Sequence, residues 1–449
     1  MRGRSTKIII TSAVVLLVAF LVFAIHTLLQ VASPFLNTQR KIDAEIAKIK
    51  AKGEPVTPAE LAPPPVPDSQ NGAIIYETVF EIIKTPQGKK DFEIIGEFVS
   101  PRGGKRNAEL WSQAREAVAR NKGIIELVED AQARPKCRFI VDWSNLLDAK
   151  FPHYTELRSL TRFLYANALI NAKDGNIEEA INSLQLGLKL TESFRDEHSL
   201  ISLLVKIAIT KMMDRSIYEV FTYGNVTESQ AERLYEAVSE VDYNNDLGKS
   251  LQGERVMGIG MFQQVHQTSS IDSTDNKKPG DSSQPLPPSP LKFVLGADEV
   301  YYLRNMAEQI RSAEVSYREA MIKRIDEKLD KDPPKYALFS RINSLSCNPA
   351  RRYRDTAMAE LDGTQILLAC HAYHDRYNAY PKTLNELRTK LGWKLPRDIF
   401  SGKDMVYRPQ NRGFILYSVG SDLKDNGGHP PKKFGSYNDG DDIVWKMEH

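Results

Sequence analysis

The hydrophobic pattern of the chain begins with one long apolar run. Residues 8–31 contain no charged side chain, taking His26 as neutral. About 20 apolar residues suffice to cross the ~30 Å hydrocarbon core of a membrane as a helix. We therefore predict a transmembrane helix over residues 8–31, preceded by a short tail over residues 1–7.

Basic residues indicate how this helix is oriented. Arg2, Arg4 and Lys7 precede it, and the positive-inside bias places such a tail in the cytoplasm. The bulk of the chain is then expected in the periplasm, outside a bacterial inner membrane. The alternative is a cleaved signal peptide with a cut near Ser33, but the apolar run is longer than a signal peptide needs, which favours an uncleaved anchor.

A helical period follows the apolar run. Ile42, Ile46 and Ile49 recur at i, i+4 and i+7, which predicts a stalk helix leaving the membrane. A proline-rich stretch comes next and is expected to be extended and semi-rigid. Residues 32–70 are therefore interpreted as a stalk helix and linker.

Residues 71–266 are predicted to form a helical domain. Its clearest part is an apolar stripe followed by a turn at Asp174–Asn176, where Gly175 stands at the expected end of a helix. This stretch resembles one tetratricopeptide helix–turn–helix unit, although no second copy recurs at the 34-residue period of such arrays. Residues 267–290 are rich in Ser, Asp, Lys, Gly and Pro and are predicted to be a disordered loop. Helices are expected to resume over residues 291–347.

The period changes to two in the last part of the chain, residues 348–449. A long helix over 351–376 and a short one over 383–387 are expected to precede strands over 404–408, 413–418 and 442–445. The first two strands should form a hairpin with a four-residue loop, Pro409–Arg412. The predicted fold class is mainly α, with a C-terminal α+β module.

Charge and cysteine content narrow the function. The 60 Lys and Arg residues nearly balance the 58 Asp and Glu residues, so no nucleic-acid partner is expected. Cys137, Cys347 and Cys370 match neither a disulfide framework nor a zinc pattern. One disulfide is conceivable, but three small buried side chains are the favoured interpretation.

Motifs of catalysis are missing from the sequence. Gly-x-Ser-x-Gly, phosphate-loop, His-Glu-x-x-His and Gly-x-Gly-x-x-Gly patterns do not occur. His371 and His374 have the spacing of a metal pair, but we expect polar residues on a solvent face. Asp142 and Trp143, near His153 in sequence, would also suit the lining of a groove, but buried aromatic side chains are the favoured interpretation. No catalytic or cofactor-binding residue is predicted, and we expect a binding protein rather than an enzyme.

The last hundred residues resemble the globular domain of the major pseudopilins of type II secretion. The long helix ends in Tyr380-Pro381, residues 398–402 occupy the place of an Asp-Pro-x-Gly turn with Ile399 for the proline, and residues 414–422 carry Tyr-Ser-x-Gly-x-Asp. The closing Asp-Asp-Ile motif is matched by residues 441–443. The whole layout also resembles large membrane-anchored proteins of planctomycete-type bacteria.

The resemblance implies a calcium ion in the last loop. By analogy Asp422, Asp441 and Asp442 would be side-chain ligands, and Val419 would supply a carbonyl oxygen. Asp425 is an added candidate. The residues themselves suit calcium, which takes 6–8 oxygen ligands. The alternative is a solvated acidic loop, since Asp, Asn and Gly favour turns.

The N-terminus differs from that of a pilin. It lacks a Gly-Phe-Thr-Leu-x-Glu motif, and residues 32–347 separate the apolar run from the module. We therefore expect a membrane tether and a binding or scaffold protein, linked to secretion or envelope organisation, whose helical region contacts a protein partner. The alternatives are a pseudopilin-like filament component and an envelope enzyme with an unrecognised site.

Overall fold

The computed structural model describes residues 33–101, 104–143, 149–271, 290–325, 327, 333–343, 347–431 and 440–448. The predicted transmembrane helix, residues 8–31, and most of the predicted disordered loop, residues 267–290, lie outside this set. Within the described ranges, no helix is long and apolar enough to cross a membrane.

The described residues are mainly helical, with a small antiparallel sheet near the C-terminus, which confirms the coarse fold class. The helices are α1 Thr38–Ala51, α2 Pro58–Leu61, α3 Ala73–Lys84, α4 Pro86–Val99, α5 Ala108–Arg120, α6 Ile124–Gln132, α7 Pro152–Lys173, α8 Ile177–Lys189, α9 Leu200–Val220, α10 Glu228–Ser239, α11 Asp246–Ile271, α12 Pro290–Ser312, α13 Tyr317–Lys323, α14 Leu338–Asn343, α15 Cys347–Tyr377 and α16 Leu384–Glu386. The strands are β1 Val406–Gln410, β2 Gly413–Ser418 and β3 Ile443–Glu448. Short 3₁₀ turns cover Asp68–Gln70 and Leu190–Phe194, and a π turn covers Leu387–Leu391.

Contacts divide the chain into two compact units. Among the described residues, the smaller unit comprises those within 33–57, 255–308 and 333–343, and the larger unit comprises those within 58–254, 309–327 and 347–448. This division differs from the predicted domain ranges, because residues 346–449 pack with the helices that precede residue 255.

The smaller unit contains α1, the predicted stalk helix. Ile42 and Ile49 are buried, and Arg304 donates to the Glu45 carboxylate at 2.8 Å. Arg255 is fully buried and pairs with Glu54 at 2.7 Å. The helix predicted from the isoleucine spacing is therefore present, and it is packed against other helices of its unit.

The helical hairpin predicted around Gly175 is formed by α7 and α8 of the larger unit. Helix α7 begins with Pro152, whose missing N–H costs nothing in the first turn. Its end is marked by Gly175 at φ +84°, a conformation that glycine adopts without strain. The predicted apolar stripe is fully buried; its members are Leu160, Phe163, Leu164, Ala168 and Leu169.

Helix α15 is the central element of the larger unit. It packs against α9 and α10 and also against strands β2 and β3. Buried residues therefore occur on several faces of this 31-residue helix. The helical region and the C-terminal module therefore share one hydrophobic core.

The sheet has the order β1–β2–β3, and both pairs are antiparallel. Gln410 pairs with Gly413, so the hairpin loop is the two residues Asn411 and Arg412, and the predicted four-residue loop is wrong. Pro409 belongs to β1 because an edge strand tolerates a residue that lacks an N–H. Strand β3 continues to Glu448, beyond the predicted end at Trp445.

Candidate calcium loop at the end of the sheet

The candidate site lies where the chain leaves β2 and enters β3. Ser418 pairs with Ile443, so residues 419–431 and 440–442 meet at one end of the sheet. Gly420 has φ +72°, and a Cβ there would lie 2.5 Å from the carbonyl oxygen of Asp441. The Asp442 N–H donates to the carbonyl of His429 at 2.8 Å, which closes the loop.

The Asp442 carboxylate lies at the centre of this loop. It is fully buried and accepts backbone N–H bonds from Gly428 at 2.7 Å, His429 at 3.1 Å and Asn426 at 3.4 Å. Burial raises the pKa of Asp442, these hydrogen bonds oppose the rise, and the nearby Asp425 charge adds to it. The Asp442 side chain therefore orders the loop through its hydrogen bonds, and the negative charge of Asp425 lies close to it.

Asp425 is exposed and is bound to the sheet. It accepts hydrogen bonds from the Gly427 amide and the Tyr417 hydroxyl, both at 2.9 Å, and these lower its pKa. The Tyr417 hydroxyl in turn accepts a bond of 2.6 Å from Arg408 on β1. Asp425 is therefore held as an ionised carboxylate next to the central Asp442.

The other predicted ligands lie in the same loop. Asp422 accepts bonds of 3.0 Å from the Lys424 amide and from the Asn426 side chain. Val419 is buried, and Asp441 is half-buried next to Gly420. In the described part of the chain, no three Asp, Glu, His or Cys side chains are grouped to hold a metal. Asn438 and Asp439, which the sequence also offers as oxygen donors, lie outside the described residues.

These residues suit calcium by the chemistry of their donors. Calcium binds carboxylate and carbonyl oxygens in flexible geometry, and the loop carries both kinds. Four aspartates occur between positions 422 and 442 among the described residues, and the Asp442 carboxylate is hydrogen-bonded by backbone amides rather than by a basic side chain. A bound cation would reduce the repulsion between Asp425 and Asp442.

Asp398 binds the residues at which the loop begins. It was not among the predicted site residues. It is buried and accepts hydrogen bonds from Ser418 Oγ at 2.6 Å and from the Val419 amide at 3.4 Å. It also accepts from the Phe400 and Ser401 amides, as aspartate does in turns. The Asp-x-x-x-Gly pattern marked the turn, but the link to β2 was not visible in sequence.

A second charged group lies between α9 and α15. Asp214 is fully buried and accepts a hydrogen bond from Thr364, while its other oxygen has no partner among the described residues. Lys211 pairs with Glu360 at 3.1 Å. Burial raises the pKa of Asp214 well above its ordinary value, and the Glu360 charge adds to this. Sequence analysis did not identify this group, because its members are far apart in the chain.

The histidine and cysteine candidates are structural. His371 packs on Phe221 with 4.5 Å between ring centroids and is 8% exposed, so the predicted solvent position is wrong for it. Cys370 is fully buried, and burial raises its pKa, which disfavours the reactive thiolate. All three cysteines are free thiols.

The prediction of buried aromatic rings is confirmed for Trp143 and His153, whereas Asp142 is exposed. His153 stacks on Phe139 with 4.2 Å between centroids, and Trp143 is 7% exposed. The His153 Nε2 lies 2.8 Å from the Glu197 carboxylate, which satisfies the buried ring.

Comparisons of this chain with protein-family models, with characterised proteins and with solved structures gave no match.

Proposed function

We propose that this chain is a membrane-anchored periplasmic binding or scaffold protein whose C-terminal module is stabilised by calcium. Anchoring follows from the apolar run 8–31 and the basic residues before it. The module is proposed to be similar to that of the major pseudopilins of type II secretion. A link to secretion or to envelope organisation follows from that similarity.

The observation that supports the proposal most is the buried Asp442 inside an acidic loop. Its carboxylate already orders three backbone amides, and Asp425 adds a second negative charge nearby. The proposed ligands are the side chains of Asp422, Asp425, Asp441 and Asp442 and the carbonyl oxygen of Val419. A calcium ion there would fix the loop between β2 and β3.

The helical part of the larger unit is the proposed binding region. Helices α7 and α8 form a hairpin, and α9 packs against both. We propose that this hairpin is similar to a tetratricopeptide unit. Hairpins of this kind commonly present a surface to other proteins. The partner is therefore expected to be a protein.

The calcium proposal is best tested on the intact chain. Because α15 packs against α9 and α10, an isolated fragment 348–449 would expose that face. Melting of the full-length protein in lipid nanodiscs should be compared in about 1 mM calcium, in magnesium and in chelator. We expect calcium alone to stabilise the protein, by about 2.7 kcal/mol at a hundredfold excess over Kd.

Variants make this test specific to the loop. Asp422→Asn combined with Asp425→Asn should abolish the calcium effect. Asp130→Asn, on the exposed face of α6, should keep it. Equal melting temperatures of the wild type in calcium and in chelator would remove the calcium site from the proposal.

The binding role needs its own measurement. The tagged full-length protein should be recovered from crosslinked, detergent-solubilised membranes of the bacterium that encodes it. We expect a defined protein partner in stoichiometric amount. Recovery of the chain alone, in repeated experiments, would count against a scaffold role.

A further inference from the structure

A surface cavity of the larger unit lies apart from the calcium loop. It has a volume of about 420 Å³ and is formed by α3, residues 139–140 and the start of α7. The outward face of α3 contributes Ile74, Glu77 and Glu81, which are spaced by three and four residues and so share one face of the helix. The opposite face of α3 is buried in the core.

The apolar part of the cavity is unusually open to solvent. Ile140 is 87% exposed and Ile74 is 40% exposed, although both are large aliphatic side chains. Beneath them Phe80 and Phe139 stack with 5.9 Å between centroids and are almost fully buried. Exposed aliphatic side chains above an aromatic floor are typical of a surface that a partner covers.

The polar part of the cavity is acidic. Glu77, Glu81 and Glu156 line it, against the single lining lysine, Lys84, which pairs with Glu81 at 3.0 Å. Within the described residues, Glu77 and Glu156 form no hydrogen bond or ion pair. Burial raises the pKa of Glu156; the Lys84 and Lys89 charges oppose this rise and the Glu81 charge adds to it. The cavity therefore combines uncovered apolar surface with two carboxylates that form no direct ion pair among the described residues.

We propose that this cavity docks a basic amphipathic segment of a partner protein, in which arginine or lysine is flanked by apolar side chains. The apolar side chains would cover Ile74 and Ile140, and the cation would pair with Glu77 and Glu156. Anionic lipid and nucleic acid are disfavoured because they would meet the same carboxylates. This inference rests on the proposed binding function and names the chemistry of its partner.

A synthetic probe tests the docking directly. A fluorescent peptide of about twelve residues with alternating leucine and arginine is titrated into the full-length protein in zwitterionic nanodiscs, with empty nanodiscs as the blank. We expect saturable binding that weakens as salt is raised, because the charges are near the surface. A peptide with glutamate in place of arginine should not bind.

Matched variants locate the site. Glu77→Gln combined with Glu156→Gln should weaken binding about tenfold, and so should Ile140→Ser. Glu236→Gln and Ile201→Ser replace residues that are also exposed but lie outside the cavity, and they should change nothing. All these side chains are exposed or half-exposed, and melting temperatures verify that each variant folds.

Three outcomes would overturn the inference. They are equal affinity of the double variant and the wild type, equal binding of the glutamate peptide, and self-association that Ile140→Ser abolishes, which would assign the cavity to a second copy. The calcium-dependent shift in melting temperature and the recovery of a protein partner from membranes are measured separately. If the wild type shows both of these but does not bind the peptide, the docking role of the cavity is rejected and the proposed function is retained.

Discussion

The indole ring of Trp445 on β3 lies directly against the backbone of Gly363 on α15. A Cβ built on Gly363 would come within 2.1 Å of a ring carbon of Trp445. Trp445 is almost fully buried, so its ring is surrounded by other atoms and cannot move away from an added Cβ. The close approach of helix and sheet in the module depends on a residue without a side chain.

Gly363→Ala should therefore destabilise the protein, although alanine favours a helix. Overpacking in a buried contact costs about 1–3 kcal/mol, which exceeds the helix-propensity gain. The free energy of unfolding of the full-length chain in urea measures this. Gly96→Ala in α4 is the control, since nothing lies within 4 Å of its Cβ position, and it should be neutral or stabilising. Equal effects of the two substitutions would contradict the packing argument.

Asp442→Ala should destabilise the protein even in the presence of chelator. It removes the acceptor of three backbone N–H bonds in a buried place, at a cost of about 1–3 kcal/mol. Thermal melting in chelator measures the loss, with Asp130→Ala on an exposed helix face as the control. An unchanged melting temperature for Asp442→Ala would show that the loop is ordered by other contacts.

Asp362 should make stability depend on pH. Burial and the nearby Asp398 raise its pKa to about 7, above the value in an unfolded chain. The protonated Asp362 side chain therefore contributes fully to the free energy of unfolding below about pH 4, and this contribution is lost as the pH rises through about 7. We expect the loss of stability to be about 2 kcal/mol. This is smaller than the pKa shift alone would give, because the carboxyl is partly exposed and solvent screens its interactions.

Melting of wild type and Asp362→Asn between about pH 5 and pH 8 tests this. The variant should lose less stability than the wild type as the pH rises, and Asp130→Asn should follow the wild type. Parallel curves for Asp362→Asn and the wild type would contradict the role of Asp362.

Asp214→Asn and Glu360→Gln should differ although both replace a buried carboxyl group by an amide. Burial raises the pKa of Asp214 well above its ordinary value, which favours the neutral carboxyl, so an amide that still accepts from Thr364 should change the free energy of unfolding little. Glu360→Gln removes the buried carboxylate charge that pairs with Lys211 at 3.1 Å, which costs about 3 kcal/mol. Urea unfolding at about pH 7 measures the loss in the free energy of unfolding for each variant. A larger loss for Asp214→Asn than for Glu360→Gln would contradict the roles given to the two carboxyl groups.

Local pattern was sufficient for much of the fold. The apolar stripe of α7 and the turn at Gly175 follow from the helical period and its glycine end, and the presence of strand β2 follows from the strand pattern. Strand β2 is nevertheless buried on both faces rather than on alternate residues. The limits of the β1–β2 hairpin could not be predicted from local pattern. Proline usually interrupts a strand, and Pro409 is tolerated in β1 because this strand lies at the edge of the sheet. The edge position is a property of the whole sheet.

Long-range pairing was not accessible from the sequence. Thr364 and Asp214 are 150 positions apart and still form a buried hydrogen bond. Each looks like an ordinary helix residue on its own. For the candidate calcium loop, composition identified the aspartates, whereas their bonds to backbone amides depend on how the loop folds. The exposed Ile140 was likewise unremarkable until its neighbours were known.

The sharing of α15 between the helical region and the sheet also sets an order of events during synthesis. Helices α9 and α10 are complete at residue 239, but their partner begins at Cys347, so residues 240–346 must emerge first. During that interval an apolar face of the nascent chain is uncovered and exposed to aggregation. A premature stop before Cys347 would make this state permanent, so it would remove the core of the larger unit along with its last hundred residues.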